Sequence, residues 1–239
     1  MQAVLLAAGF GTRLRPLTDH TPKCLVPING RPLLDIWLYQ LSEAGVSSFF
    51  INTHYLAEQV EAYVADSSFR DRVTLLHEPD LRGTLGTLQQ VMPALEGDFL
   101  VAHADNLCLC SWSSFIEAHR DRPKGCLMTM MTFETDSPST CGIVEMDQDG
   151  RVLMMHEKVP EPPGITANAA VYLMSREVTA ALPLDGAGLD ISHYLIPRLH
   201  GAIYAWPCDG YLRDIGNPSS YQRAQEYFRG EDPLTGLPV

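Results

Sequence analysis

The stretch LAAGFGTRLRPLT, residues 6–18, decides the fold of this chain, together with the tripeptide Thr21-Pro22-Lys23 that follows shortly after it. An apolar run ends here in two glycines, which allow backbone N–H groups to approach a ligand closely. Basic side chains follow at Arg13 and Lys23. Backbone amides in such a turn, backed by these cations, suit a polyphosphate. The stretch therefore predicts a buried strand that runs into a phosphate-binding loop.

Two common phosphate motifs do not fit this loop. The dinucleotide fingerprint requires a third glycine, and Leu14 occupies that position. The Gly-Lys-Ser/Thr of a Walker loop is not found in the sequence. A plain strand–loop turn would explain the glycines, but it would not explain the added arginine, lysine and prolines. We therefore favour phosphate binding of another type.

Composition bounds the class of protein. The chain has 239 residues, 46% of them hydrophobic, so there is enough apolar material for a core and disorder is excluded. The 17 Lys and Arg residues against 29 Asp and Glu residues give a net charge of −12. Such a surface repels nucleic acid and anionic lipid, so neither is an expected partner. An anionic small-molecule substrate would need a local cationic pocket or a divalent metal.

The expected location is cytoplasmic. No stretch approaches the roughly 20 apolar residues of a membrane helix, and the first residues lack the basic flank of a signal peptide. The six cysteines show no CxxC pair and no zinc-finger spacing, so we expect them to be reduced.

The pattern of apolar residues predicts an α/β fold. In the first half, predicted strands at residues 2–7, 48–53, 73–77 and 99–103 alternate with predicted helices at residues 33–44, 57–65 and 84–95. This order indicates helices on both faces of a mostly parallel sheet. The second half is strand-rich, with predicted strands at residues 126–133, 142–146, 152–157 and 167–174, a hairpin turn at residues 147–150, and helices at residues 192–199 and 219–228.

Two aspartates are candidate metal ligands. Asp105 follows an apolar strand, at the sheet edge where α/β proteins bind ligands, and carboxylates are ligands that Mg²⁺ prefers. Asp214 precedes Gly216 and Pro218, which turn the chain into a helix. From the residues alone, a turn-capping role for Asp105 and a plain loop position for Asp214 remain open.

The glycine-rich stretch also resembles a family signature. Gly9-Phe10-Gly11-Thr12-Arg13-Leu14, Pro16-Leu17-Thr18 and Pro22-Lys23 are similar to the signature of sugar-1-phosphate nucleotidylyltransferases, most like the mannose-1-phosphate guanylyltransferases. These enzymes join an NTP to a sugar 1-phosphate and release pyrophosphate. The resemblance implies a Rossmann-like, GT-A-like fold with a mixed, mostly parallel sheet sandwiched by helices and a strand-rich, sugar-binding C-terminal part.

The resemblance covers residues 1–228 as a single domain. It implies a nucleotide-binding half at residues 1–110, a sugar-binding half at residues 111–228 and a tail at residues 229–239. The hexapeptide repeats of larger relatives are not found in these 239 residues, so we expect the short form of the family.

The resemblance implies Arg13 and Lys23 as catalytic residues, with Arg13 on the phosphates and Lys23 at the reacting centre. Glu78-Pro79 with Gly83-Thr84 is similar to a Glu-Pro-x-Gly-Thr segment of guanylyltransferases, although a helix N-terminus capped by Thr84 would give the same pattern. The implied nucleotide-binding residues are Leu6, Ala8, Gly9, Gly11, Thr12, Arg13, Glu78, Gly83, Thr84 and Asp105.

The same resemblance implies one Mg²⁺ ion held by Asp105 and Asp214. It assigns the sugar phosphate to Asn106, Gly142, Glu157, Lys158, Asn168 and Asp190. Without it, the Glu157-Lys158 pair would be interpreted as solvated surface. Cys141 and Ala170 depart from the family pattern, and Arg213 is either a surface residue or a substrate contact.

The expected reaction is nucleotidyl transfer from GTP to mannose 1-phosphate or a related hexose or heptose phosphate, with Mg²⁺ as cofactor. The alternatives are a uridylyl or thymidylyl transferase acting on another sugar phosphate, such as N-acetylmuramic acid 1-phosphate, and a non-catalytic regulatory homologue that binds a nucleotide sugar. The expected partners are small-molecule substrates, and the protein is expected to be a monomer or a homodimer.

Overall fold

The computed structural model describes residues 1–183 and 185–238. In chain order the strands are β1 (Gln2–Leu6), β2 (Pro27–Ile28), β3 (Arg31–Pro32), β4 (Ser48–Thr53), β5 (Val73–His77), β6 (Phe99–His103), β7 (Asn106–Leu109), β8 (Met128–Glu134), β9 (Gly142–Met146), β10 (Val152–Glu157), β11 (Thr166–Met174), β12 (Ile203–Pro207) and β13 (Tyr211–Asp214). The helices are α1 (Leu33–Glu43), α2 (Ala57–Asp66), α3 (Thr84–Val91), α4 (Trp112–Arg120), α5 (Ile196–Arg198) and α6 (Pro218–Phe228).

The chain forms two compact units. The first unit comprises residues 1–4, 82–102 and 111–209, and the second unit comprises residues 5–81, 103–110 and 210–238. Residues 99–102 belong to the first unit because β6 lies antiparallel to β11 there, with Val171 opposite Ala102. The nucleotide-binding half at residues 1–110 and the sugar-binding half at residues 111–228 remain predictions.

The first unit is built on a mixed arrangement of strands. Its strands follow the order β10-β9-β11-β6, and β8 pairs with both β11 and β12. The pairs β9–β10 and β8–β11 are antiparallel, whereas β12 is parallel to β8. Large side chains from neighbouring strands, such as Phe99 and Tyr172, are buried and form its core.

The second unit contains β4 and β5, which are parallel to each other, and the last two residues of β1. It also contains two short ladders, β2–β3 and β7–β13. Helix α1 forms because its apolar residues recur at helical spacing, and Leu34, Trp37 and Leu41 are all buried. The helix ends just before Gly45, whose φ of +89° suits a helix C-terminus.

The expected α/β fold is confirmed, and five strands have the predicted bounds: β4, β5, β6, β9 and β10. The helix predicted at residues 84–95 ends at Val91 and continues as a 3₁₀ turn over Met92–Ala94, because Pro93 lacks the N–H that an α-helix needs. The helix predicted at residues 192–199 is a π-helical turn over Ile191–Leu195 followed by α5, which contains a proline near its start.

The segment expected as a tail is tied to the second unit. Arg31 donates from Nε to Asp232 Oδ2 at 2.6 Å, and Asp232 Oδ1 accepts the backbone N–H groups of Leu234 and Thr235. Val239, the last residue of the predicted tail, lies outside the described residues. None of the six cysteines, all of which lie in the described part of the chain, forms a disulfide bond. None of the described helices combines the length and the apolar character needed to cross a bilayer.

Candidate active site

The loop after β1 is fixed at its base and open at its tip. The backbone N–H of Ala7 donates to Asn52 Oδ1 at 2.7 Å, and the Leu6 carbonyl accepts the N–H of Ala104 at 3.0 Å. Leu6 and Ala8 are buried, but Gly9 is exposed, and a Cβ added to Gly9 would meet nothing within 4 Å. The backbone at Gly9 is therefore accessible to a ligand.

Gly11 needs to be a glycine because of its backbone and its packing. Its φ is +63°, in the left-handed region, and an added Cβ would lie 2.9 Å from Thr18 Cγ2. Thr18 in turn donates from Oγ1 to the Gly11 carbonyl at 2.8 Å. These contacts fix the start of the 3₁₀ turn Thr12–Leu14, in which Leu14 is buried while Thr12 and Arg13 are exposed.

Lys23 joins the two predicted metal ligands. Its side chain is only 6% exposed, and its Nζ donates to Asp105 Oδ2 at 2.9 Å and to Asp214 Oδ1 at 3.3 Å. Arg13 forms an ion pair with the other carboxylate oxygen of Asp214, with Nη2 3.6 Å from Oδ2. The structure thus brings together Arg13, Lys23, Asp105 and Asp214 within the second unit.

The convergence of the two aspartates follows from strand register. Asp105 lies in the turn between β6 and β7, and Asp214 is the last residue of β13. In the antiparallel ladder of β7 and β13, Asp214 lies opposite Asn106, the residue after Asp105. The Trp37 indole N–H donates to the Asn106 carbonyl at 2.9 Å and so anchors this turn on α1.

The charge at this cluster favours ionised carboxylates. Burial alone would raise the pKa of Asp105, but the Lys23 ammonium and, next, His103 outweigh burial and hold that pKa below its ordinary value. Two carboxylates that converge on one cation are a donor set suited to a hard divalent ion such as Mg²⁺. Asp105 and Asp214 therefore fit the expected metal ligands in chemistry and in placement.

Gly216 is a residue whose role the sequence did not indicate. A Cβ at this position would lie 2.8 Å from Asp214 Oδ1 and 2.9 Å from Arg13 Nη2. Only a glycine leaves room for the carboxylate and the guanidinium to lie against the backbone here. Asn217 follows as the N-cap of α6, accepting the N–H of Ser220 at 2.9 Å.

Glu78 is more deeply buried than a simple surface contact to a nucleotide would require. It is 1% exposed, and its Oε1 accepts from Asn52 Nδ2 at 3.1 Å. Because Asn52 Oδ1 also accepts from Ala7, Asn52 links Glu78 to the base of the glycine-rich loop. Asn52 was not predicted as a functional residue, because in the sequence it is only an amide near the end of a largely apolar strand.

Thr84 and Asp190 form a contact within the first unit. Asp190 Oδ1 accepts from the backbone N–H and from Oγ1 of Thr84, each at 3.2 Å, and Thr84 Oγ1 accepts the N–H of Ile191 at 2.8 Å. Gly83 has a φ of +71° and packs against the backbone of Leu189. Asp190 therefore fixes the start of α3, next to two predicted nucleotide-binding residues.

Three predicted sugar-phosphate residues also lie together in the first unit. Glu157 is opposite Gly142 in the β9–β10 ladder, and a Cβ on Gly142 would lie 2.7 Å from Glu157 Oε2. Lys158 Nζ is 3.3 Å from Glu157 Oε1. Because residue 142 is a glycine, the Glu157 carboxylate can lie against its backbone.

The Asn168 side chain stabilises an irregular stretch of β11. Its Nδ2 donates to the Tyr172 hydroxyl at 2.8 Å, and its Oδ1 accepts the N–H of Ala170 at 2.9 Å. The register of β11 against β8 shifts between Asn168 and Tyr172, and Ala170 has a φ of +55°. The position where the family has glycine is thus a left-handed one that Asn168 supports.

Arg213 has a packing contact. Its Nε donates to the Tyr211 hydroxyl at 3.0 Å. Because side chains alternate along β13, Arg213 and Tyr211 share the face opposite to Asp214. The contact favours a packing role for Arg213 on its own face of the strand.

Comparisons with known proteins agree with this architecture. A family model described as nucleotidyl transferase matches residues 2–230. The catalytic subunit beta of mannose-1-phosphate guanylyltransferase from Drosophila pseudoobscura is 29% identical over 92% of this chain, and the UTP–glucose-1-phosphate uridylyltransferase of Synechocystis is 29% identical over 94%. The chain spans 60% and 62% of the length of these two relatives.

Solved structures share the fold. The crystal structure of HddC from Yersinia pseudotuberculosis is 26% identical, with a TM-score of 0.80 over 95% of this chain and 99% of that chain. The same protein has been solved with GMP-PN. The structure of apo-UDP-glucose pyrophosphorylase, 20% identical with a TM-score of 0.79 over 95% and 97% of the two chains, agrees in fold.

These structural neighbours confirm the expected Rossmann-like fold of the GT-A type. The family model spans nearly the whole sequence, and curated relatives match along more than nine tenths of the chain. The chain belongs to the nucleotidyl transferase family.

Proposed function

We propose that this protein transfers a nucleotidyl group from an NTP to a sugar 1-phosphate and releases pyrophosphate. The observation that carries the proposal is the cluster of Lys23, Asp105 and Asp214, with the Lys23 ammonium on both carboxylates. Family membership and the names of the relatives support the same reaction class.

The reaction joins two anions, so its barrier is mainly electrostatic repulsion and positioning. No protein nucleophile is required, because the sugar phosphate itself attacks the α-phosphorus. Arg13 suits the role of a phosphate ligand, because its side chain is 72% exposed and held in place by Asp214. The open backbone at Gly9 supports a contact with the same phosphates.

Mg²⁺ is proposed to bind at Asp105 and Asp214, where it would neutralise phosphate charge. The lowered pKa of Asp105 favours its ionised form, which keeps its oxygens available as ligands. The two carboxylates are partly exposed, so they suit an ion that shares its coordination with a substrate.

The sugar 1-phosphate is assigned mainly to residues of the first unit. Glu157 supplies a carboxylate that can accept hydrogen bonds from sugar hydroxyls, and the glycine at position 142 lets this carboxylate lie close to the backbone of β9. Lys158, whose side chain is 64% exposed, supplies a cation for the phosphate. Asn106, Asn168 and Asp190 remain predicted sugar-phosphate ligands; in the structure the Asn168 and Asp190 side chains hold backbone segments in place.

For the base we propose guanine, and for the sugar mannose or a related hexose or heptose. The guanylyltransferase relative and the GMP-PN complex of the structural neighbour support this choice. The equally similar uridylyltransferase from Synechocystis supports the alternative of UTP with another sugar phosphate. The proposed location is the cytoplasm, and the oligomeric state stays a prediction of monomer or homodimer.

The test is pyrophosphate release with Mg²⁺, using GTP, UTP, dTTP, CTP and ATP against a panel of hexose, heptose and N-acetylmuramic acid 1-phosphates. Fastest release with GTP and mannose 1-phosphate is the expected result. Release with a different pair would keep the reaction and overturn the substrate choice. Nucleotide-sugar binding without any release would favour a non-catalytic homologue instead.

A further inference from the structure

Lys23 is unusual among the charged residues of the cluster because it is almost completely buried. Its side chain is 6% exposed, against 72% for Arg13 and 37% and 48% for Asp105 and Asp214. A buried ammonium is stable only with close counter-ions. The two carboxylates therefore stabilise the buried ammonium of Lys23, and Lys23 in turn holds both carboxylates in position.

The four side chains form a neutral group. Two carboxylates carry two negative charges, and Lys23 and Arg13 carry two positive charges. A divalent cation that approaches this group finds no net negative charge to attract it. If it bound the carboxylate oxygens that Lys23 contacts, it would also lie within a few ångströms of the ammonium, where two cations repel strongly.

Lys23 therefore has to leave at least one carboxylate before that oxygen can bind a metal ion. Its ammonium sits on a flexible four-carbon stem, so it can turn toward another acceptor within reach. The phosphate oxygens of a nucleotide are such an acceptor, and they bring the negative charge that the neutral group lacks. Metal binding and nucleotide binding should then strengthen each other.

We propose that Lys23 is an internal counter-cation that competes with Mg²⁺ for Asp105 and Asp214, so that Mg²⁺ binds well only when a phosphate ligand takes over the ammonium. This inference deepens the proposed function and rests on it for the Mg²⁺ site at Asp105 and Asp214 and for the nature of the phosphate ligand. The contacts of Lys23 with both carboxylates are the observation behind the competition.

The test is calorimetric titration of Mg²⁺ into the full-length protein without nucleotide. Lys23→Gln removes the charge but keeps amide donors for both carboxylates. Lys23→Arg, the matched control, keeps the charge. We expect Lys23→Gln to bind Mg²⁺ at least about tenfold more tightly than the unaltered protein, and Lys23→Arg to bind it as the unaltered protein does.

A second substitution locates the effect. Adding Asp214→Asn to Lys23→Gln should abolish the gain in Mg²⁺ affinity, because it removes one of the two carboxylates. Circular dichroism and thermal unfolding check that each variant folds, and Lys23→Met replaces Lys23→Gln if the glutamine variant does not.

Equal Mg²⁺ affinity in the unaltered protein and the neutral variant would overturn the proposal. It would also be overturned if neither protein bound Mg²⁺, or if the gain persisted with Asp214→Asn. The pyrophosphate-release assay separates this outcome from failure of the proposed function. Release with no difference in Mg²⁺ affinity refutes the competition alone, whereas a clear gain in affinity with no release in any substrate pair refutes the function alone.

Discussion

Asp214 lies opposite Asn106 in the antiparallel ladder of β7 and β13. Since Asp105 directly precedes Asn106, this single register relationship brings two carboxylates from distant parts of the chain to the ammonium of Lys23. A slip of one residue in this ladder would turn the Asp214 side chain to the other face of the strand. The geometry of the candidate site thus depends on a short two-stranded ladder.

Arg13→Ala should lower the rate of pyrophosphate release by about 10²- to 10³-fold, the usual cost of removing one electrostatic contact to a reacting group. The thermal midpoint should hardly change, because the Arg13 side chain is 72% exposed. Arg15→Ala is the matched control, since Arg15 is also exposed and forms an ion pair with Asp19 instead of Asp214. Equal losses in the two variants would contradict a specific role for Arg13.

Gly216→Ala should lower the same rate at least about tenfold, because the new methyl group would displace the Asp214 carboxylate and the Arg13 guanidinium, which lie under 3 Å from the added Cβ. Gly164→Ala is the control, because a Cβ there meets nothing within 4 Å. Steady-state kinetics on the two variants would decide the matter. An unimpaired Gly216→Ala enzyme would show that the close approach at this glycine is unimportant.

Ala170→Gly should stabilise the protein by about 1 kcal/mol, because Ala170 has a φ of +55° that a Cβ disfavours. Ala169→Gly, at a buried neighbouring position, should destabilise it instead. Urea unfolding of both variants measures the free energies of unfolding. A loss of stability in Ala170→Gly would mean that packing of the alanine methyl outweighs the backbone strain.

Stability should fall as the pH is lowered from about 6.5 toward 4, in part through His119. Burial and then the Arg122 cation lower the pKa of His119 to about 4, although Asp98 opposes this. The unfolded chain therefore binds a proton near pH 6.5, while the folded protein binds it only near pH 4. In this window the unfolded state takes up more protons, so acid favours unfolding.

His119→Gln should flatten that pH dependence. Glutamine cannot take up a proton, yet it can replace the hydrogen bond between His119 Nδ1 and Thr129 Oγ1. The measurement is the urea midpoint of the unaltered protein and of His119→Gln at several pH values from 7 to 4. The quantity compared is the slope of the midpoint against pH, not the stability at any one pH. Parallel pH profiles would exclude His119 as a source of the acid sensitivity.

Much of the fold was predictable because short apolar runs between glycine and polar breakers mark its strands. The bounds of β4, β5, β6, β9 and β10 follow from that pattern alone. The strands β7, β12 and β13 and the helix α4 were not predicted. Strand β13 shows why, because its residues Tyr-Leu-Arg-Asp lack an apolar run, and its extended conformation depends on pairing with β7.

The candidate site was predictable in part, and chiefly through the family resemblance. Sequence spacing by itself does not bring Asp105 and Asp214 together, since their meeting requires the β7–β13 register. Asn52 and Gly216 were missed for a related reason. Asn52 acts through hydrogen bonds to segments that are remote in sequence. Gly216 acts by leaving room for the Asp214 carboxylate and the Arg13 guanidinium.

The most direct test of the account is the rate of Mg²⁺-dependent pyrophosphate release by Asp105→Asn, with the substrate pair that the panel identifies. The asparagine keeps an acceptor for Lys23 but removes the charge that would hold a metal ion. Asp66→Asn, at the exposed end of α2, is the control for loss of one carboxylate. The account predicts at least about a 100-fold loss in Asp105→Asn with an unchanged circular dichroism spectrum and no loss in Asp66→Asn. Activity of the folded Asp105→Asn protein equal to that of the unaltered protein would contradict it.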